Sequence, residues 1–412
     1  MSLKYIDNIL MIEDVSLKEL ASNYTTPFYV YSVDSIKKNY NTLKSSLRKD
    51  IYYSVKANSN QAILSLLFNL GAGADVVSGE ELKRVLAVGI NPNKIIFEGV
   101  GKLKEDIEFS IKNEIKQINV ESLSEIKLIN KLAGSQNKKV NIGIRINPDI
   151  DIDSHNKIST GKKTDKFGIT LDKLNDVIST LNVSKNICCI GISCHVGSQI
   201  FSINIFEQTF KKIINVINIF KTHKFEITNI NLGGGMGVDS QNNKIFEINK
   251  LSQITKKYFG ETSYKISFEP GRYLVAESGI LVTKVLTVKK SGNTNFLIVD
   301  AGMNNFIRPA LYDDYHKIDP IQNDYRNINY AVAGPICESS DIFHNNIKLP
   351  EQNINDILTI SNVGAYGSVM SSNYNSKVLS AEIMVSKDKH YLIRPTQKIE
   401  ELISKDIVFE DF

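Results

Sequence analysis

The chain has 412 residues, 42% hydrophobic and 23% charged, with 49 Lys and Arg against 45 Asp and Glu for a net charge of +4. That length suits one barrel of about 250 residues plus a further domain, or two to three ordinary domains, and the composition is that of a water-soluble globular protein. A small, scattered positive excess argues against nucleic acid or an anionic membrane as the main partner.

The first twenty residues carry Glu13 and Asp14 and no basic stretch followed by an apolar run, so they do not read as a secretory signal. No run approaches about 18 uninterrupted apolar residues, which excludes a helical membrane span. "FYVYS", Phe28 to Ser32, is a first strand candidate. From there a strand-then-helix rhythm sets in. Strands are expected at Ile51 to Val55, Ala74 to Val77, Lys94 to Phe97, Ile118 to Glu121, Val140 to Ile146, Cys189 to Val196, Ile227 to Leu232 and Lys265 to Glu269. Helical patterns lie between them, including Gln61 to Leu70, Glu80 to Val88, Leu123 to Leu132, Leu171 to Leu181 and Phe206 to Phe220. Eight such steps fit a closed (β/α)8 TIM barrel, and Phe28 to Ser32 is then a ninth strand for eight places. Asn147 to Phe167 has little apolar periodicity and follows a strand, so it is expected as a functional loop at the barrel's C-terminal face. After about Ile280 short strands alternate with polar turns such as Ser291-Gly292-Asn293, which predicts a C-terminal antiparallel β domain, a sandwich or small barrel. Of four cysteines, Cys188, Cys189 and Cys194 share one strand pattern and Cys337 stands alone, without metal-ligand spacing; reduced thiols of a cytoplasmic protein are expected.

Four strand ends carry residues able to do chemistry. Lys56 closes "IYYSVKAN"; packed against Tyr52 and Tyr53 it would lose its proton near neutral pH and attack an aldehyde as an amine, while on this segment alone a lysine that snorkels to water is the commoner case. "NLGGGMG" bares the backbone N–H groups of Gly233, Gly234 and Gly235, a phosphate nest or a plain tight turn. In "SCHVGSQ", His195 could lie against a flat ligand with the Ser198 hydroxyl on its phosphate, or be a satisfied polar residue. In "SFEPGR", Glu269 and Arg272 offer a carboxylate and a planar fork, or a structural ion pair. An amine, an anion nest, an imidazole and a carboxylate together are the parts that bind pyridoxal phosphate, whose ring nitrogen must stay protonated to accept electrons.

Taken in order, "PFYVYS", "YYSVKAN", "GAGADVVSGEEL", "RINPDID", "ISTGKKTDKFGI", "HVGSQI", "NLGGGMG", "FEPGR", "CESSD" and "GAYGSVMSSNYN" span nearly the whole chain. This series resembles the fold-type III pyridoxal phosphate enzymes, the alanine racemase-like barrels, and within them most closely the diaminopimelate decarboxylase family. The resemblance implies that Lys56 holds the cofactor covalently, that His195 stacks on its ring, and that Ser198 and Gly233 to Gly235 hold its phosphate. It pairs Glu269 with the pyridine nitrogen and extends the cofactor set over Pro270, Gly271, Arg272 and Tyr366. Arg272, Arg308, Tyr312, Glu338 and Tyr366 are implied for substrate, and Cys337 as the acid that protonates the carbanion. The implied reaction is decarboxylation of meso-2,6-diaminopimelate to L-lysine, in a homodimer with shared sites. Residues 1–32 would pack with the β domain at 281–412, leaving 33–280 as the pyridoxal phosphate-binding barrel.

Without that resemblance Cys337 could be a small buried hydrophobe and Arg308 a surface arginine, although Arg308 and Tyr312 fall one helical turn apart. Decarboxylases of ornithine, arginine or carboxynorspermidine, a racemase, and an inactive binding protein of this fold remain as alternatives. The chain departs from the family pattern at Asn156 and at Lys377-Val378-Leu379-Ser380, where prolines are usual; both bear on loop stiffness.

Overall fold

A computed structural model of the chain describes residues 3–151, 161, 164–241, 244–322 and 327–409. It divides into two compact units, Lys37–Leu274 and a second made of Met1–Ile36 with Val275–Phe412.

The first unit is the closed parallel barrel. Asp50–Ser54, Gly73–Val76, Ile95–Phe97, Gln117–Val120, Val140–Asn147, Ile187–Cys194, Asn229–Asn231 and Lys265–Phe268 pair in chain order, and Ser267 and Phe268 return to Asp50 and Ile51. Each expected strand is present, shifted by one or two residues at its ends. Within Asp50–Ser54 the four residues after Asp50 are all buried: a barrel strand is covered inside by the barrel's own core and outside by helices. Glycine makes room where this core is polar. A Cβ on Gly143 would lie 2.2 Å from Asn119 Oδ1, and one on Gly191 2.5 Å from Gln117 Nε2. Those amides form a ladder, Gln117 Nε2 to Asn119 Oδ1 at 2.6 Å and Asn229 Nδ2 to Gln117 Oε1 at 3.0 Å, which satisfies buried donors that would otherwise cost about 1–3 kcal/mol each. The helices take ordinary caps. Asn60 accepts from Ala62 N ahead of Gln61–Asn69, and Ser122 accepts from Glu125 N ahead of Leu123–Ser135.

Among the described residues the second unit contains a three-stranded sheet, Leu3–Ile6, Ile9–Ile12 and Val15–Ser16, and a nine-stranded sheet. Phe28–Ser32 lies at its centre, antiparallel to Gly279–Ser291 and parallel to Ala381–Ser386. Thr294–Val299 and Asn327–Ala333 are parallel as well, so the sheet is mostly, not wholly, antiparallel. The antiparallel β domain expected from its short hairpin turns is thus present, and neither parallel pair is joined by such a turn. Its core draws on both chain ends, with Leu10, Ile12, Leu17, Leu20, Phe28 and Val30 against Ile280, Val282, Ile321, Ile383 and Val385. Glu13 ties the ends further, accepting from Ser32 Oγ at 2.6 Å and from Lys387 N.

Candidate active site

All eight barrel strands contribute at or just past their C-terminal ends, where barrel sites are built. Lys56 sits in the 3-10 turn Val55–Ala57 after the first strand, and Asp75 lies within the second. Glu98, Glu121, Arg145, His195, the glycine run and Glu269 follow in strand order. Lys56, His195 and Glu269 therefore stand one or two residues beyond their strands, outside the pleat in which the sequence pattern set them.

The Lys56 side chain is 41% exposed, with Nζ 3.9 Å from Asp75 Oδ2. The tyrosines expected from the sequence to desolvate it direct their hydroxyls elsewhere. Tyr52 turns its hydroxyl to Lys116 Nζ, and Tyr53 donates to Asn58 O at 2.9 Å, inside the core. Asp75 is buried; Ser54 Oγ lies 2.6 Å from its Oδ2 and 3.1 Å from Glu269 O, whereas Asp75 Oδ1 has no hydrogen-bond partner among the described residues.

His195 Nδ1 accepts from Gly234 N at 3.1 Å. A backbone N–H can only donate, so the neutral ring carries its proton on Nε2. Burial, with the cations of Lys56 and Arg145 behind it, holds the His195 pKa well below its usual value and keeps the ring neutral. Glu269 is pushed the other way, well above the carboxylate range, first by burial and then by repulsion from Asp75 and Glu98. Its Oε1 accepts from Asn231 Nδ2, and its N–H donates to Gly233 O at 2.8 Å. Glu98 is likewise raised by burial, against the pull of Arg145. Arg145 loses by desolvation but gains more from Glu98 and Glu121; its Nη1 stands 2.8 Å from Glu121 Oε1 and its charge is secure. Asp75, Glu98, Glu121 and Glu269 thus bury their carboxyl groups at the barrel mouth with the buried Arg145 guanidinium and the half-exposed Lys56 amine.

The glycines are required by space. A Cβ on Gly234 would lie 2.1 Å from Glu269 O, and one on Gly235, at φ +88°, 2.3 Å from Gly197 O. Ser198 is half-buried in the adjoining turn. Pro270 O accepts from Ser54 N at 3.2 Å, Gly271 packs where a Cβ would meet Ser54 and Ala57, and Arg272 opens the helix Arg272–Val275. An amine beside an unpartnered buried carboxylate oxygen, a neutral imidazole, a buried acid with a raised pKa and a cradle with no room for side chains fit an aldehyde cofactor bearing a phosphate and a ring nitrogen.

In the β unit the structure gathers a second group. Arg308 is buried, its guanidinium 4.6 Å from the Tyr312 ring and 5.7 Å from that of Tyr366, whose backbone takes φ +55°. Arg308 Nη2 is already paired with Asp314 Oδ2 at 2.5 Å, a partner the sequence reading did not include, and it is no surface arginine. Cys337 and Glu338 are exposed, which removes the reading of Cys337 as a buried hydrophobe. Their loop is held by Asp341, accepting from Met303 N at 2.6 Å and Ile336 N at 2.7 Å, and by Asn375 Oδ1, which accepts from Cys337 N at 3.3 Å. Glu338 accepts from the Tyr374 hydroxyl.

Sequence reasoning passed over Asp75, Glu98, Arg145, Asn231 and Asp341, although Glu98 directly follows an expected strand and each of the others lies in a quoted motif. An acidic residue inside an apolar strand, as in "GADVV", was the available signal. Of the loop from Asn147, its ends are described: Ile150 N donates to Gly161 O at 2.8 Å, Asn147 Nδ2 donates to Phe167 O at 3.1 Å, and the Phe167 ring lies 5.1 Å from the Arg145 guanidinium. The departure at Asn156 lies outside the described residues. At Lys377 to Ser380, Asn373 and Gln397 brace the chain in place of prolines, with Asn373 Nδ2 on Lys377 O at 2.9 Å and Leu379 N on Gln397 Oε1 at 3.1 Å.

Residues 33–276 match the family model of the pyridoxal-dependent decarboxylase, pyridoxal binding domain. Over 408 residues the chain is 36% identical to a diaminopimelate decarboxylase of Aquifex aeolicus, covering 98% of this chain and 97% of the relative. A Helicobacter pylori diaminopimelate decarboxylase is 40% identical over 390 residues, covering 93% and 96%. Among solved structures, the diaminopimelate decarboxylase of M. jannaschii in complex with L-lysine superposes with a TM-score of 0.94 at 35% identity, over 99% of this chain and 98% of that one.

Proposed function

Because the chain belongs to the diaminopimelate decarboxylase family of pyridoxal-dependent decarboxylases, we infer that it converts meso-2,6-diaminopimelate to L-lysine and carbon dioxide, the last step of lysine biosynthesis. The observation that carries the reading is the linked set at one barrel end: Lys56 beside Asp75, Asp75 joined through Ser54 to Glu269, and Glu269 joined through Gly233 and Gly234 to His195. Such a set suits pyridoxal 5'-phosphate and serves no evident purpose in packing.

Bound there, the cofactor supplies an electron sink for the pair left when the Cα–carboxylate bond breaks. Lys56 supplies the amine that holds its aldehyde, and the bare N–H groups of Gly233 to Gly235 with the Ser198 hydroxyl take its phosphate. The neutral His195 ring offers an uncharged face. Glu269, a buried carboxyl with a raised pKa, is the partner for the ring nitrogen. Arg272, Arg308, Tyr312, Glu338 and Tyr366 are the groups for the substrate's charged ends; Arg308 must share its guanidinium with Asp314 to serve. The Cys337 thiol delivers the proton that replaces carbon dioxide on Cα. With Cys337 and Glu338 exposed on the single chain, we place them in the site of a second copy, in a homodimer. Free thiols are in keeping with a cytoplasmic enzyme. Among the described residues no helix is long and apolar enough to cross a membrane.

The reading is tested by incubating the protein and pyridoxal phosphate separately with meso-diaminopimelate, ornithine and arginine while carbon dioxide and lysine are measured. Release from diaminopimelate is expected; release only from another amino acid would sink the substrate assignment. Cys337→Ala should lower kcat by about 10²–10⁴-fold, the usual worth of a positioned acid. Mixing Cys337→Ala with Lys56→Ala chains should restore up to about a quarter of wild-type activity, since half of randomly paired dimers then hold one intact site of two. No recovery on mixing would contradict shared sites.

A further inference from the structure

The side chain of Asn231, the last residue of the seventh strand, joins two parts of the barrel mouth that the functional reading treats separately. Its Oδ1 accepts from Gly233 N at 2.9 Å. Since that backbone N–H can only donate, the amide orientation is fixed, and Nδ2 is the atom that faces Glu269. Nδ2 in turn donates to Glu269 Oε1, and Glu269 N donates back to Gly233 O at 2.8 Å. Three hydrogen bonds thus close a ring through Asn231, the first glycine of the run and Glu269. Asn231 is 3% exposed, so neither amide atom can exchange its partner for water without cost.

The donor-only Nδ2 has a consequence for the acid. With Oε1 receiving a hydrogen bond, the proton of a neutral Glu269 carboxyl resides on Oε2. We propose that Asn231 is a positioning residue that reserves Oε1 and so makes Oε2 the oxygen offered to a pyridine nitrogen, holding that acid in register with the phosphate-binding glycines. The inference rests on the reading that a pyridoxal cofactor occupies this barrel. Asp75, Glu98, Lys56, Arg145 and Tyr52 are the charged and titratable groups that act on Glu269, and Asn231 Nδ2 is the donor seen on its Oε1.

Asn231→Asp separates the two bonds. It is isosteric, keeps an acceptor for Gly233 N, and places an oxygen where Nδ2 stood. Two carboxyl oxygens can meet there only with a proton between them, so the variant takes Glu269's proton into the pair and loses it as pH rises. Pyridoxal phosphate titrated into cofactor-stripped full-length protein, followed by absorbance, should show a dissociation constant at least about tenfold above wild type at pH 8, with the gap narrowing toward pH 6. Asn231→Ser still reaches Gly233 N but not Glu269, and should weaken binding without that pH dependence. In a Glu269→Gln background, which has no acid proton to direct, Asn231→Ser should add less than about twofold. Binding within twofold of wild type for Asn231→Asp or Asn231→Ser, or an undiminished Asn231→Ser effect beside Gln at 269, would overturn the proposal and leave Asn231 as a brace for the glycine turn. A wild-type protein with no affinity for pyridoxal phosphate would overturn the functional reading instead.

Discussion

Lys56→Ala is expected to lower carbon dioxide release by at least about a thousandfold, because the covalent anchor of the cofactor is lost together with an amine that can return protons at the reacting centre. Fold and thermal midpoint should be nearly unchanged. The Lys56 side chain is 41% exposed, and its ion-pair contact to Asp75 is a distant 3.9 Å. Two measurements separate loss of chemistry from loss of structure: circular dichroism through the melt, and the visible absorbance of protein mixed with pyridoxal phosphate. A variant with the wild-type band and rate would remove the anchor role from Lys56. Partial recovery with a small added amine would strengthen it, since a diffusing amine can replace the missing nucleophile at the cost of its own ordering.

Gly234→Ala should do damage of a different kind. A Cβ at that position would stand 2.1 Å from Glu269 O, a backbone atom that cannot swing aside, and Glu269 is itself bound to Gly233 O. Relief requires the loop after the seventh strand to part from the loop after the eighth. That parting costs about 1–3 kcal/mol of stability, as overpacking does, and breaks the Gly234 N to His195 Nδ1 bond at the same time. Weaker pyridoxal phosphate binding by about tenfold or more and a lower thermal midpoint are expected together. An alanine variant with unaltered cofactor affinity would show that the run is a simple turn. Gly292→Ala in the β unit is the control for a glycine in open space, where a Cβ meets nothing within 4 Å and the cost comes only from φ +57°.

The barrel was legible because its strands and helices alternate in chain order, so each local pattern also states its neighbour. The glycine run, His195 and Glu269 were legible for the same reason, as polar or special residues placed where an apolar strand stops. What stayed hidden depends on which side chains meet across strands. Asp75 matters because Ser54 of the adjacent strand and Lys56 reach it; Arg145 matters because Glu98 and Glu121 come from the third and fourth strands to its fifth. None of these pairs has a spacing to read. Lys56 misled for a related reason: Tyr52 and Tyr53 adjoin it in sequence, but their hydroxyls go to Lys116 and Asn58. By contrast, the four-residue step from Arg308 to Tyr312 did foretell contact, since one turn of helix carries it, while Asp314 beyond the helix end was not foreseen.

The central place of Phe28–Ser32 in the β unit bears on how the chain is made. That strand leaves the ribosome early, yet both of its sheet neighbours, Gly279–Ser291 and Ala381–Ser386, are translated only after the entire barrel. The barrel segment, Lys37–Leu274, is contiguous and can close as soon as it emerges, whereas "FYVYS" waits with both edges open until the C-terminal third arrives. During that interval it is the segment most exposed to pairing with a neighbouring nascent chain. Truncation before Ala381 therefore leaves an early, apolar strand with one of its two edges unpaired, and ribosome-bound intermediates of this protein should be sticky at that strand.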